Sequence, residues 1–257
     1  MIRASFSAEV PGHQPALDIF QGGWSVKLPH DLGLVAGSQD HFNDPRIAWS
    51  GPRIGGFAGK RILELGPFEA YNTCEMERLG AEITAIEGSA DNFFKCLIMK
   101  NLFNLRATFL HGDFNKHEMR TDERYDVVWA SGVLYHMTDP VVFLRNATKF
   151  AKQIFIWTQY FDANVLNERH PSIGHFDTSR NIHAEVGGRV ITLHWRSYLH
   201  IDTNGLFSGG NERFAYWMEL PDILHTLSVL GFGNISMGVN NPSFPPGPAC
   251  FFLAKPA

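Results

Sequence analysis

The sequence is poor in several things that would otherwise decide its class. It has only three cysteines, Cys74, Cys96 and Cys250, far apart and odd in number. They form no CxxC pair and no disulfide framework, which suits a reducing, cytoplasmic setting. No run of 18 apolar residues occurs, so no membrane span is expected. The first residues, MIRASFSAEVPGHQP, lack the apolar core of a signal peptide. There is no basic excess either. The formal net charge of -4 argues against nucleic acid as an obligate partner. No HExxH pattern and no internal repeat appears. What remains is a chain of 257 residues, 44% hydrophobic, long enough to bury a sizeable core.

One further shortage is local. RILELGPFEAYNT, residues 61–73, reads as a buried strand, a turn and a helix, but the turn holds a single glycine, Gly66. A dinucleotide fingerprint needs three, because a pyrophosphate must approach the backbone closely. Phe68 and Tyr71 occupy the other two positions, and no phosphate-cradling lysine follows. The turn is therefore expected to face a ligand without phosphate.

From residue 60 onward the pattern is regular. Short apolar runs, RILEL, EITAIE, ATFLHGD, YDVVWAS and QIFIWTQ, alternate with helical stretches. Ser89 stands as an N-cap and Pro140 in a first helical turn. This rhythm predicts an α/β fold, a doubly wound, mostly parallel sheet. PDILHTLSVLGF reads as a closing helix, and NISMGV and ACFFLAK as a final antiparallel hairpin, because their connection is too short for a crossover. Residues 1–58 are expected to be an irregular N-terminal cap. Residues 59–257 are expected to form one Rossmann-like domain. Residues 159–218 show no βα unit and are expected to be a substrate-binding insertion.

Four strand ends carry chemistry, and ligands of open α/β sheets bind at such ends. The first is Glu64, Gly66 and Pro67. The second is Glu87 and Gly88, where an acid can accept both hydroxyls of a ribose. The third is Asp113 and Phe114, an acid for an adenine amino group with an aromatic beside the ring. The fourth is Ser131, followed by VLYHM. A nucleoside bearing an amino-acid tail fits this set.

These motifs resemble the class I S-adenosylmethionine-dependent methyltransferases over roughly residues 45–160. ELGPFEA stands at the acid-x-Gly-x-Gly-x-Gly turn, AIEG at the ribose position and HGDF at the adenine position. YDVVWASGVLYHMTDP stands at the fourth-strand motif. ELGP, ASGVLYHMxDP and FIWT-Y are similar to a bacterial subgroup with mostly unassigned substrates. Phe68 and Ala70 replace the second and third glycines of the family turn.

The resemblance implies S-adenosyl-L-methionine as cofactor and methyl transfer to oxygen or nitrogen of a small molecule or glycan. His136 and His194 are the candidate bases, and Tyr135, Trp195 and Tyr198 candidate substrate contacts. His170, His175, His183, His194 and His200 lack paired metal-ligand spacing, so no metal is expected. RNA methylation, a nicotinamide-dependent oxidoreductase on the same fold, and a non-catalytic cofactor-binding module stay open as alternatives.

Overall fold

The computed structural model describes residues 6–117, 124–198, 210 and 212–257. Its first elements are two helices, α1 (His13–Asp18) and α2 (Pro45–Ile54). The side chain of Asp44 caps α2, Pro45 opens it, and Gly55 ends it at φ 80°.

The central strands lie where the apolar runs put them. β1 is Arg61–Leu65, β2 Glu82–Glu87, β3 Thr108–His111, β4 Val127–Ser131 and β5 Ile154–Gln159. The helices between them are α3 (Tyr71–Arg78), α4 (Ala90–Phe103) and α5 (Pro140–Phe150). Among the described residues a second, three-stranded antiparallel sheet follows: β6 (Ile182–Val186), β7 (Arg189–Ser197) and β8 (Phe214–Trp217). The chain closes with α6 (Leu220–Val229), β9 (Asn234–Asn241) and β10 (Ala249–Lys255).

The main sheet runs β3-β2-β1-β4-β5-β10-β9. β1 to β5 are parallel, and β10 is antiparallel to both β5 and β9. The expected α/β fold, with its last hairpin, is the fold observed. Strand order reverses between β1 and β4, which opens a crevice at their carboxyl ends. Because β10 runs backwards, Ala249 pairs with both Gln159 and Asn241. The loop from β9 to β10 therefore returns to the same edge of the sheet.

Side-chain alternation along the strands builds two core layers. Leu63, Leu65, Val128, Ala130 and Ile156 pack towards α5 and α6. Ile62, Ala85, Trp129 and Phe155 pack on the other face with α1 to α4. Trp129 and Phe155 stack with centroids 3.8 Å apart, and neither is exposed.

The N-terminal segment joins the second layer through Leu17, Trp24, Ile47 and Phe57. Charge fixes it as well. Glu69 accepts hydrogen bonds from the Ser25 and Val26 amides and from Lys95 Nζ at 2.8 Å. Lys95 also donates to the Gly23 carbonyl. Both charged side chains are buried. Removing one partner would strand the other charge, which costs about 3–5 kcal/mol.

The stretch 159–218 departs from expectation in one respect. It holds β6 to β8, with Gly187-Gly188 at φ 57° and 79° forming the β6–β7 turn. Two left-handed residues match the twist of an antiparallel hairpin. The sheet docks on the segment after β4, where the Tyr216 amide donates to the Met137 carbonyl at 2.9 Å. Among the described residues no helix is long and apolar enough to cross a membrane.

Candidate active site

A cleft of about 1530 Å³ crosses the carboxyl edge of the main sheet. One end lies at Asp113 and Phe114 beyond β3. The other lies at Asn241 and Phe244, where the β9–β10 loop returns. The half over β3, β2, β1 and β4 and the half over β5, β10 and β9 meet near Ser131 and Trp157, which are register partners.

The turn after β1 keeps an alternating backbone despite its missing glycines. Gly66, Phe68 and Ala70 have φ of 62°, 59° and 59°. A left-handed L-residue costs roughly 1–2 kcal/mol, so two non-glycine residues hold a strained turn here. Gly66 could not be enlarged cheaply, since a Cβ would sit 3.0 Å from Val133 Cγ2. Glu87 braces the turn. Its Oε2 accepts from the Phe68 amide at 3.0 Å and its Oε1 from the Ser89 amide at 2.8 Å. Burial raises the Glu87 carboxyl above its ordinary range, and those amides oppose the rise. Glu87, Gly88, Gly66 and Phe68 all line the cleft.

Other expected residues divide. Asp113 and Phe114 line the same half. Asp113 Oδ1 accepts from the Asn115 amide at 2.9 Å and so caps the single turn 114–116. Phe114 meets Phe143 edge-on at 4.9 Å. Ser131 is on the wall, whereas Pro67 is buried beside it and does not line it.

Glu64 also lies behind the wall. It is 2% exposed, accepts from the Thr73 hydroxyl, and does not line the cleft. Burial pushes its carboxyl up to about 7; the Thr73 bond opposes this and the Glu87 charge adds to it. It supports the turn from inside.

Tyr135, His136 and Tyr198 gather on one wall. The His136 ring is 4.1 Å from Tyr135 and 5.1 Å from Tyr198, and the Tyr198 hydroxyl donates to the Tyr135 carbonyl at 3.0 Å. Burial, then the charge of Arg196, pushes His136 down to about 3. Its Nδ1 has no hydrogen-bond partner among the described residues.

His194 and Trp195 do not line the cleft. The His194 ring stacks on Phe161 at 3.6 Å, and its Nε2 lies 3.2 Å from Glu219 Oε1. Burial lowers its pKa against the pull of Glu219. His194, expected as a candidate base, is thus placed away from the cleft. Trp195 points to the opposite face of β7, with the Arg180 guanidinium 4.0 Å from its ring. Among the described residues no three His, Cys, Asp or Glu side chains gather as a metal site. His200 lies outside the described residues.

Sequence reasoning missed Arg46. It reaches the cleft from α2, held by Asp44 at 2.8 and 2.9 Å. Its Nη1 donates to Ser131 Oγ at 2.9 Å, its Nη2 to the Tyr71 hydroxyl at 3.3 Å, and its guanidinium lies 5.1 Å from the Trp157 ring centre. The loop before α2 is itself pinned, because Glu75 accepts from the Asn43 and Asp44 amides. Nothing in the irregular stretch around residue 46 signals this. Arg196, Gln159 and the β9–β10 loop were missed as well.

The comparisons with known proteins bear on this geometry. Residues 63–153 match the family model described as a methyltransferase domain. The matched span begins within β1, contains β2 to β4 and ends just before β5.

The chain is 26% identical over 110 residues to the ubiquinone biosynthesis O-methyltransferase of Proteus mirabilis (strain HI4320), covering 43% of this chain and 45% of that protein. It is 28% identical over 119 residues to the enzyme of the same name from Aeromonas salmonicida (strain A449), covering 45% and 50%. The chain thus spans about half the length of the curated relatives it matches. Among solved structures it is similar to the N-terminal domain of EvdMO1, determined in the presence of SAH and D-fucose. That match has a TM-score of 0.69 and 19% identity over 95% of each chain. The family-model match and this likeness identify the fold as that of class I methyltransferases.

Proposed function

We propose that the cleft binds S-adenosyl-L-methionine and that the protein transfers its methyl group to an oxygen or nitrogen of a small molecule or glycan. The observation that carries this reading is one cleft edged by Glu87, Asp113 and Arg46 around the single-glycine turn after β1. That donor set fits the cofactor. Glu87 is assigned to the ribose hydroxyls, with Gly88 beside it. Asp113 takes the adenine amino group, with Phe114 against the ring. Arg46 takes the carboxylate of the amino-acid tail, a planar match for a guanidinium fork. The backbone at Gly66 and the Ser131 segment complete the tail pocket. The motif subgroup with ELGP and ASGVLYHMxDP is part of the same proposal.

The cofactor supplies an electrophilic methyl on a positively charged sulfur. The lone pair of the acceptor atom forms the new bond to that carbon, the carbon–sulfur bond breaks with its pair left on sulfur, and the acceptor gives up its proton. The protein contributes mainly position and exclusion of water. His136 stays neutral and can accept a hydrogen bond from the acceptor hydroxyl, so it orients the nucleophile. A group pushed down to about 3 holds a proton poorly. The acceptor's proton therefore passes to solvent water as the new bond to the methyl carbon forms. Tyr135 and Tyr198 complete the acceptor wall. The likeness to two O-methyltransferases favours oxygen.

The test is acceptor-dependent release of S-adenosylhomocysteine across a panel of hydroxylated aromatics and glycosides. Glu87→Gln should weaken cofactor binding by about ten- to hundredfold, the worth of one charge-assisted bond. Unchanged affinity would remove Glu87 from the cofactor site.

A further inference from the structure

We propose that Arg196 is an anion anchor in the acceptor half of the cleft and that the methyl acceptor carries a carboxylate. This rests on the reading above for the name of the acceptor, but the anchor itself rests on Arg196. That side chain lies on β7, paired across the sheet with Ala215, and it lines the cleft. The residue is 6% exposed. Its surroundings are aromatic faces: Tyr198 at 4.6 Å, Trp217 at 4.9 Å and Phe176 at 5.9 Å from the guanidinium carbon. The Tyr198 hydroxyl accepts a hydrogen bond from the guanidinium, which a neutral oxygen compensates only in part, and His136 beside it is neutral. Among the described residues no carboxylate pairs with Arg196, and its Nε has no hydrogen-bond partner.

The contrast with the other buried cations makes the point. Lys95 has Glu69 at 2.8 Å, and Arg46 has Asp44. A buried charge is retained when something compensates it. Aromatic faces compensate a guanidinium only in part. They also flatten the approach to it, which suits a planar carboxylate taking two parallel N–H bonds. Beyond the guanidinium, the same cavity offers Trp157, Gln159 and Asn241 to the body of such a ligand. An acceptor held by its acid at Arg196 would lie beside His136 and close to Ser131, where the two halves of the cleft meet.

The test uses benzoate and its neutral counterpart benzamide, titrated calorimetrically at low salt into the full chain, with and without S-adenosylhomocysteine. Benzoate should bind at least about tenfold more tightly than benzamide. Arg196→Met should abolish that preference and keep S-adenosylhomocysteine binding. Arg196→Lys, which keeps the charge but loses the fork, should keep part of it. The anchor is overturned by benzoate binding no tighter than benzamide, by no detectable benzoate binding, or by a preference that survives in Arg196→Met. Should Arg196→Met fail to fold, Arg196→Lys decides. A benzoate affinity weakened about threefold or more upholds the anchor, and an unchanged one overturns it. Failure of S-adenosylhomocysteine to bind counts against the methyl-transfer reading alone, since the anion titration is also read without it.

Discussion

Replacing Glu64 by Gln should flatten the pH dependence of stability and leave cofactor binding almost untouched. Burial lifts the Glu64 carboxyl to about 7 from its ordinary 4.5. The unfolded chain releases this proton near the ordinary value. Between the two values the folded protein holds a proton that the unfolded chain has lost. Stability therefore falls as pH rises through that window and is fully penalised above it. At about 1.36 kcal/mol per pH unit, the gap corresponds to about 3 kcal/mol. Gln stays neutral and can still accept from Thr73, so it carries no such penalty. Urea unfolding near pH 5 and near pH 8 measures the effect. The wild type should lose about 2–3 kcal/mol more across that range than Glu64→Gln. Other raised carboxylates titrate in both proteins, and the difference isolates Glu64. Because Glu64 does not line the cleft, its affinity for S-adenosylhomocysteine should stay within about threefold, under the RT-scale of a single hydrogen bond. Equal pH slopes in the two proteins would refute the burial argument. A large loss of affinity would refute the separation of Glu64 from the cofactor.

Arg46→Met should lower S-adenosylhomocysteine affinity by about ten- to hundredfold, because it removes a charge-assisted contact; calorimetry on the folded variant reads this directly. His136, pushed down to about 3, should stay neutral across the working range. The pH profile of turnover should then show no His136 step near the ordinary histidine value, and His136→Ala should lower turnover at every pH by a similar factor. Gly66→Ala forces a Cβ against Val133 at a left-handed φ, and thermal unfolding should show a loss of about 1–2 kcal/mol.

The main sheet was legible because its strands are short apolar runs bounded by turn residues. RILEL, EITAIE and QIFIWTQ became β1, β2 and β5 with hardly a residue's difference. That Glu87, Asp113 and Ser131 would stand at the sheet edge was legible for the same reason, since they lie at or just past strand ends. The β6–β7 hairpin was within reach too. Gly187-Gly188 sits between alternating segments, IHAEV and RVITL, which is a hairpin signal. His194 was chosen for residue type, but position on the strand decided otherwise, since Phe161 and Glu219 occupy its ring. Arg46 was not legible. It enters the cleft only because Glu75 and Glu69, on and beside α3, hold an irregular segment in place through backbone amides. Such long-range bonds leave no local period. The backbone of the glycine-poor turn was not legible, because Phe68 and Ala70 adopt the left-handed conformation that glycine would have supplied.

The central claim is that this cleft holds a nucleoside with an amino-acid tail and no phosphate. Calorimetric titration with S-adenosylhomocysteine and, separately, with NAD tests it most directly, with thermal unfolding in parallel. The account predicts that S-adenosylhomocysteine binds and raises the melting temperature, as a ligand of the folded state must, and that NAD does neither. Stabilisation by NAD without stabilisation by S-adenosylhomocysteine would contradict it.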